Sequence, residues 1–175
     1  LGHLDGLGSG DVMVAQYGML DLSEVANGTF ANTLANDGEV NISSTDLGLS
    51  SDISGAGAIN LASGSQVLVS GQSDTFSGNW DIADGAKAAV THEYNLGDTS
   101  SVNLDGYLVI DREGIEGDYT WKNPLTGTRT GLLEVNLDSS ADNFIFDSCM
   151  SAGCGEGFEG TLRMRNSTFN LELSN

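Results

Sequence analysis

Pairs of apolar residues separated by one mostly polar residue recur along this chain at intervals near 20 residues. Leu20 and Leu22 flank Asp21, Val40 and Ile42 flank Asn41, Ile59 and Leu61 flank Asn60, and Trp80 and Ile82 flank Asp81. Val12 and Val14, Val67 and Val69, Ala88 and Val90, Val102 and Leu104, and Leu108 and Ile110 repeat the pattern. Alternation of this kind marks a short strand with one buried face. Aligned on one another, the units form two ladders. One joins Leu20, Val40, Val67, Ala88 and Leu108 with steps of 20, 27, 21 and 20; the other joins Ile59, Trp80 and Val102 with steps of 21 and 22. Turn signals fall between the strands: Gly18, Asp37-Gly38, Gly64, Asp84-Gly85 and Asp105-Gly106. Asp-Gly steps suit left-handed backbone. Residues 8–14 and 55–61 also match, 47 positions apart.

One rung of this size cannot bury its own apolar side chains. Stacked rungs can, because their strands pair in parallel with those above and below. The period therefore predicts an all-β solenoid with rungs of about 20 residues. The competing architecture is a β-sandwich with turns every 8–12 residues or so. Even spacing and an aromatic content of only 7% favour the solenoid. Leucine-rich repeats share the period, but their Leu-x-x-Leu-x-Leu-x-x-Asn frame is absent.

The pattern changes after Ile110. The polar stretch 111–131 holds the single proline, Pro124, and three of the six basic residues, Arg112, Lys122 and Arg129. It reads as a loop excursion from the rungs. Strands resume at 133–137 and 144–146, interrupted by a second loop at 147–160 that carries both cysteines, and end with 162–164 and 169–173. The whole of 1–175 reads as one solenoid unit. The chain starts with Leu1 rather than Met, which suggests a fragment or a processed product of something longer.

Charge narrows the partners. Twenty-five acidic residues against six basic ones give −19 at neutral pH. That opposes non-specific nucleic-acid binding, which relies on Lys and Arg to neutralise phosphates, and it opposes anionic membranes and sulfated glycans alike. The hydrophobic fraction of 39% is too high for a disordered acidic tail. Close spacing of Cys149 and Cys154 favours a local disulfide and an oxidising compartment; two free thiols remain the alternative. Zinc lacks a second cysteine pair, and His3 and His92 lie far away in sequence.

Catalysis finds little support. There is no Gly-x-Ser-x-Gly elbow, and His92, in Thr-His-Glu-Tyr, reads as a loop residue following a strand. No Gly-Gly occurs, so the calcium nonapeptide frame is missing, as is an EF-hand loop. The scattered acids read as a solvated face, and no cofactor is expected. The best contact candidate is the 111–131 stretch, with Tyr119, Trp121, Lys122 and Arg129, because aromatics and Arg are enriched at binding hot spots. A Trp121 folded back over the solenoid core fits equally well. Trp80, Phe144, Phe146 and Phe169 read as core.

Residues 76–86 (Phe-Ser-Gly-Asn-Trp-Asp-Ile-Ala-Asp-Gly-Ala), 123–128 (Asn-Pro-Leu-Thr-Gly-Thr), 131–137 and 158–171 together resemble rungs of bacterial autotransporter passenger domains of the pertactin-like adhesin group. The resemblance implies a right-handed parallel β-helix, exported to the bacterial surface and anchored by a C-terminal β-barrel that this chain does not contain. It implies attachment or cell–cell aggregation, with host-surface or bacterial-surface molecules, or further copies of itself, as partners. It also accommodates a small disulfide loop. The second reading is a non-binding stalk or autochaperone-like folding core.

Overall fold

In a computed structural model, residues 3–23, 25, 28–147 and 157–171 are described. They form a parallel β-solenoid of about seven turns. The cysteines of the 147–160 loop lie outside the described residues, so their pairing is not addressed by the fold.

A full rung visits three faces in the same order. The first three rungs are β1 (Val12–Val14), β2 (Met19–Ser23) and β3 (Gly28–Phe30); β4 (Leu34–Asn36), β5 (Glu39–Ser43) and β6 (Leu47–Leu49); and β7 (Ile53–Ser54), β8 (Ala58–Leu61) and β9 (Gln66–Val69). The first face then shrinks to a bridge between Gly55 and Phe76. Two-stranded rungs follow, β10 (Asn79–Ile82) with β11 (Lys87–Val90) and β12 (Ser101–Leu104) with β13 (Tyr107–Asp111). The third strand returns in β14 (Tyr119–Trp121), followed by β15 (Leu125–Thr126) and β16 (Leu132–Asn136), then β17 (Asn143–Phe146), β18 (Thr161–Arg165) and β19 (Thr168–Leu171). The second face is the sheet β2-β5-β8-β10-β12-β15, and the third is β3-β6-β9-β11-β13-β16-β18. The first face splits into β1-β4-β7 and β14-β17-β19. Every pairing is parallel.

Inward residues stack in columns. On the second face Val40, Ile59, Trp80, Val102 and Leu125 lie in register, and on the third Val67, Ala88, Leu108 and Leu133 do. All are buried. The rung that accommodates Trp80 and the edge-on ring of Phe76, 6.0 Å away, supplies Ala86 and Ala88 opposite. Large and small residues thus share one rung's volume. At one end the 3-10 turn Leu4–Leu7 lays Leu4 and Leu7 against the core.

The register corrects three details of the sequence reading. The ladder Leu20, Val40, Val67, Ala88, Leu108 merges two sheets: Leu20 and Val40 belong to the second face, the other three to the third. Its 27-residue step is the crossing between faces. Two faces share one period, so periodicity alone does not assign phase. The match between 8–14 and 55–61 likewise joins a first-face strand, β1, to a second-face strand, β8. The turn glycines divide into two kinds. Gly64 and Gly85 adopt positive φ, +86° and +80°. Gly38 instead stacks on the corner below, where the Glu39 N–H donates to the Gly18 carbonyl; a Cβ on Gly38 would sit 2.3 Å from that oxygen. Gly57 and Gly78 continue the corner.

The polar stretch 111–131 is not an excursion along its length. It contains β14 and β15, which pair with β17 and β12 and make a full rung. Exposed turns remain at 128–130 and at 112–118. Arg112 closes that turn from within, donating from Nη1 to the Asp118 carbonyl (2.6 Å) and from Nη2 to the Glu116 carbonyl (3.2 Å), with its guanidinium over the Tyr119 ring.

Candidate recognition surface

The four residues singled out for contact part company. Tyr119 and Trp121 point inward and are 2% and 1% exposed. Trp121 Nε1 donates to the Asn123 carbonyl at 2.6 Å, which satisfies its one polar atom inside the core. Tyr119 stacks on Phe144, and Phe144 on Phe169, with ring centres 6.1 and 6.2 Å apart. Burial pushes the Tyr119 phenol far above its ordinary value. Lys122 and Arg129 are exposed. Arg129 makes a 3.4 Å surface pair with Glu159, an interaction of small energetic value. The structure thus assigns the two aromatics to the core and leaves the two cations on the surface. His92 stacks on Tyr94 with ring centres 5.2 Å apart, and its carbonyl accepts from the Tyr119 hydroxyl.

Many acids do more than solvate a face. Several corner carboxylates accept a backbone N–H from the neighbouring rung: Asp105 from Thr128 (2.7 Å), Asp138 from Gly114 (2.7 Å), Asp118 from Asn143 (2.7 Å) and Glu93 from Thr120 (2.6 Å). Corners break the β ladder and leave donors unpaired, and a short carboxylate is the nearest acceptor. The Asn143 N–H and amide hold the Asp118 carboxyl below its ordinary value. Buried amides work similarly: Asn123 Nδ2 donates to the carbonyls of Gly97 and Ser100.

The outer surfaces of the two long faces differ. On the third face Leu68, Ala89 and Val109 run outward in register and end at Glu134. Glu134 is 5% exposed although it points out of the solenoid. Arg163 Nη1 and Arg165 Nε, from β18, clamp it at 2.9 Å and 2.8 Å. Burial, then the Glu134 carboxylate it donates to, raises the Tyr107 phenol above its ordinary value.

The second face carries an unbroken polar row, Asp21, Asn41, Asn60, Asp81, Asn103 and Thr126, in register across six strands. Its members bond to one another: Asn60 Nδ2 to Asn41 Oδ1 (2.8 Å), Asn103 Nδ2 to Asp81 Oδ1 (3.2 Å) and Thr126 Oγ1 to Asn103 Oδ1 (3.2 Å). Beside it runs a row of small residues, Ser23, Ser43, Ala62 and Ala83. The Ala62 and Ala83 N–H groups continue the ladder onto the Ile42 and Leu61 carbonyls. Together the two rows shape an open trough of about 370 Å³. The Ser23 side chain and backbone N–H lower the Asp21 carboxyl below its ordinary value, so it is ionised at neutral pH. In sequence Asp21, Asn41, Asn60, Asp81 and Asn103 each stand as the lone polar residue between two apolar ones; only register joins them. Among the described residues no group of three or more His, Cys, Asp or Glu is placed to hold a metal ion, and no helix is long and apolar enough to cross a membrane.

Fold and surface together define a parallel β-helix with one continuous hydrogen-bonding face. The chain is similar to the uncharacterized lipoprotein YdeK of Escherichia coli (strain K12), 31% identical over 111 residues, or 62% of this chain. It spans only about 8% of that relative's length. No family model matches, and no solved structure matches.

Proposed function

We propose that this chain is a recognition segment of a bacterial envelope protein, a passenger-like adhesin that mediates attachment or cell–cell aggregation. The observation that carries the reading is the polar row of the second face, repeated rung after rung on a rigid solenoid. Such a surface makes many weak contacts, and several copies on one cell add avidity. Likeness to a stretch of a lipoprotein supports an envelope location. Export through an outer-membrane barrel rests on the resemblance of the rungs to autotransporter passengers. The partners in this reading are host-surface or bacterial-surface molecules, and the chain performs no turnover.

The aromatic column Tyr119, Phe144, Phe169 favours a second reading, a stalk or folding core that supports recognition elsewhere. One experiment separates the two. Bacteria displaying the parent protein with and without residues 1–175 are compared for adhesion and settling, with display checked by antibody on intact cells. Loss of adhesion at equal display supports recognition. Unchanged adhesion, or collapse of display, goes against it and favours the stalk.

A further inference from the structure

We infer that the trough on the second face binds a linear, neutral, polyhydroxylated chain, a glycan lying along the solenoid axis. The inference rests on the recognition reading above and names its ligand class. Four observations carry it.

First, the trough runs across four successive rungs, those of β2, β5, β8 and β10. Strands in a sheet repeat every ~4.8 Å, close to the advance per residue of an extended hexose chain, so successive sugars meet successive rungs in equivalent positions. Second, the wall is chemically suited to hydroxyl groups. Asp21 and Asp81 bring carboxylate acceptors; Asn41 keeps one amide N–H beyond the one it gives to Met19 Sδ, and Asn60, whose two N–H groups go to Asn41 and Glu39, offers its side-chain oxygen. Each amide retains capacity beyond the bond it makes within the row. Third, the floor is shallow and unobstructed, because Ser23, Ser43, Ala62 and Ala83 put nothing larger than a hydroxymethyl into it. Flat pyranose faces meet methyl and methylene groups there. Fourth, the strands β5, β8 and β10 under the trough are already paired on both sides, and β2 is the sheet margin. A peptide therefore cannot insert between these strands, and within the trough recognition falls to side chains.

Charge selects among glycans. A chain at −19 with two carboxylates in the wall repels sulfated and uronic-acid polymers. The competing occupant is a basic peptide drawn by the same carboxylates. It differs in salt response: hydrogen-bonded neutral sugars bind almost independently of ionic strength, whereas ion pairs at the surface are screened.

The test is calorimetric titration of the 175-residue chain with neutral linear oligomers of glucose, mannose and N-acetylglucosamine, dimers through hexamers. A polylysine peptide is run alongside, and both are measured at low and high salt. The expected result is affinity for one series that climbs with length up to about four residues, the number of rungs lining the trough, and is insensitive to salt. Ala62→Tyr and Ala83→Tyr, both outward on the solvent side, should weaken that binding at least tenfold while leaving the far-ultraviolet circular dichroism and the unfolding midpoint unchanged. Asn60→Ala should weaken it less. Three results overturn the inference: no neutral oligomer bound, binding unaffected by the two tyrosines, or salt-sensitive binding of polylysine alone. Adhesion that survives a failed titration leaves the recognition reading standing. Adhesion unaffected by removal of the segment defeats that reading separately.

Discussion

A corner carboxylate in this protein is a structural acceptor as much as a surface charge. Asp118 accepts both the backbone N–H and the side-chain amide of Asn143, and its carboxyl is held below the ordinary 3.8. A carboxyl depressed by folding stabilises the native state fully above its unfolded value. That stabilisation fades as pH falls below 3.8 and is gone once pH passes below the folded value. Denaturant unfolding of wild type and Asp118→Ala should therefore show a stability gap at pH 7 that closes on acidification through this window. A gap of constant size down to pH 2 would mean that the side chain acts through something other than its charge. The abundance of acids in the sequence was plain, but this role was not. The N–H that each of the four corner carboxylates described above meets lies 23 to 27 residues away, and nothing local announces it.

At the scale of the element, the rung 119–136 shows how composition misleads. Its polar residues, its proline and its two turns read as a loop, yet Tyr119 and Trp121 alternate around Thr120 like any inward pair. The signal was present in three residues, too short to outweigh the polar surroundings. Pairing with β17 settled it, because Phe144 and Phe146 offer an apolar column for those rings to extend. Replacing Trp121 by Ala should cost about 3–5 kcal/mol in denaturant unfolding, the range for truncating a buried aromatic. Lys122→Ala, one residue on and exposed, should stay within about 0.5 kcal/mol. Equal effects from the two would return the segment to the surface. Proline at position 124 is tolerated because it precedes β15 and needs only to offer its carbonyl, which accepts from the Val102 N–H.

Over the whole molecule, each rung touches only its neighbours, so stability propagates along one axis. Burial records this directly. Leu133 and Phe144 are 1% and 0% exposed, and the residues stacked on them, Leu162 and Phe169, are 38% and 44% exposed. Hydrogen exchange should follow the same gradient, with amides of β18 and β19 exchanging well before those of β8 to β13. Uniform protection from end to end would indicate a single cooperative unit instead. The sequence by itself determined that the chain is a β-solenoid, that its rungs are near 20 residues and that Trp80 is core, because a period of two within a period of 20 leaves few ways to bury apolar side chains. Only the tertiary structure decided which strands share a face, where the acids find their donors, and that Asp21, Asn41, Asn60 and Asp81 form one surface. The physical reason is common to all three. Parallel pairing brings together residues a whole rung apart, and register across that distance is set by how the columns pack, not by any residue's immediate neighbours.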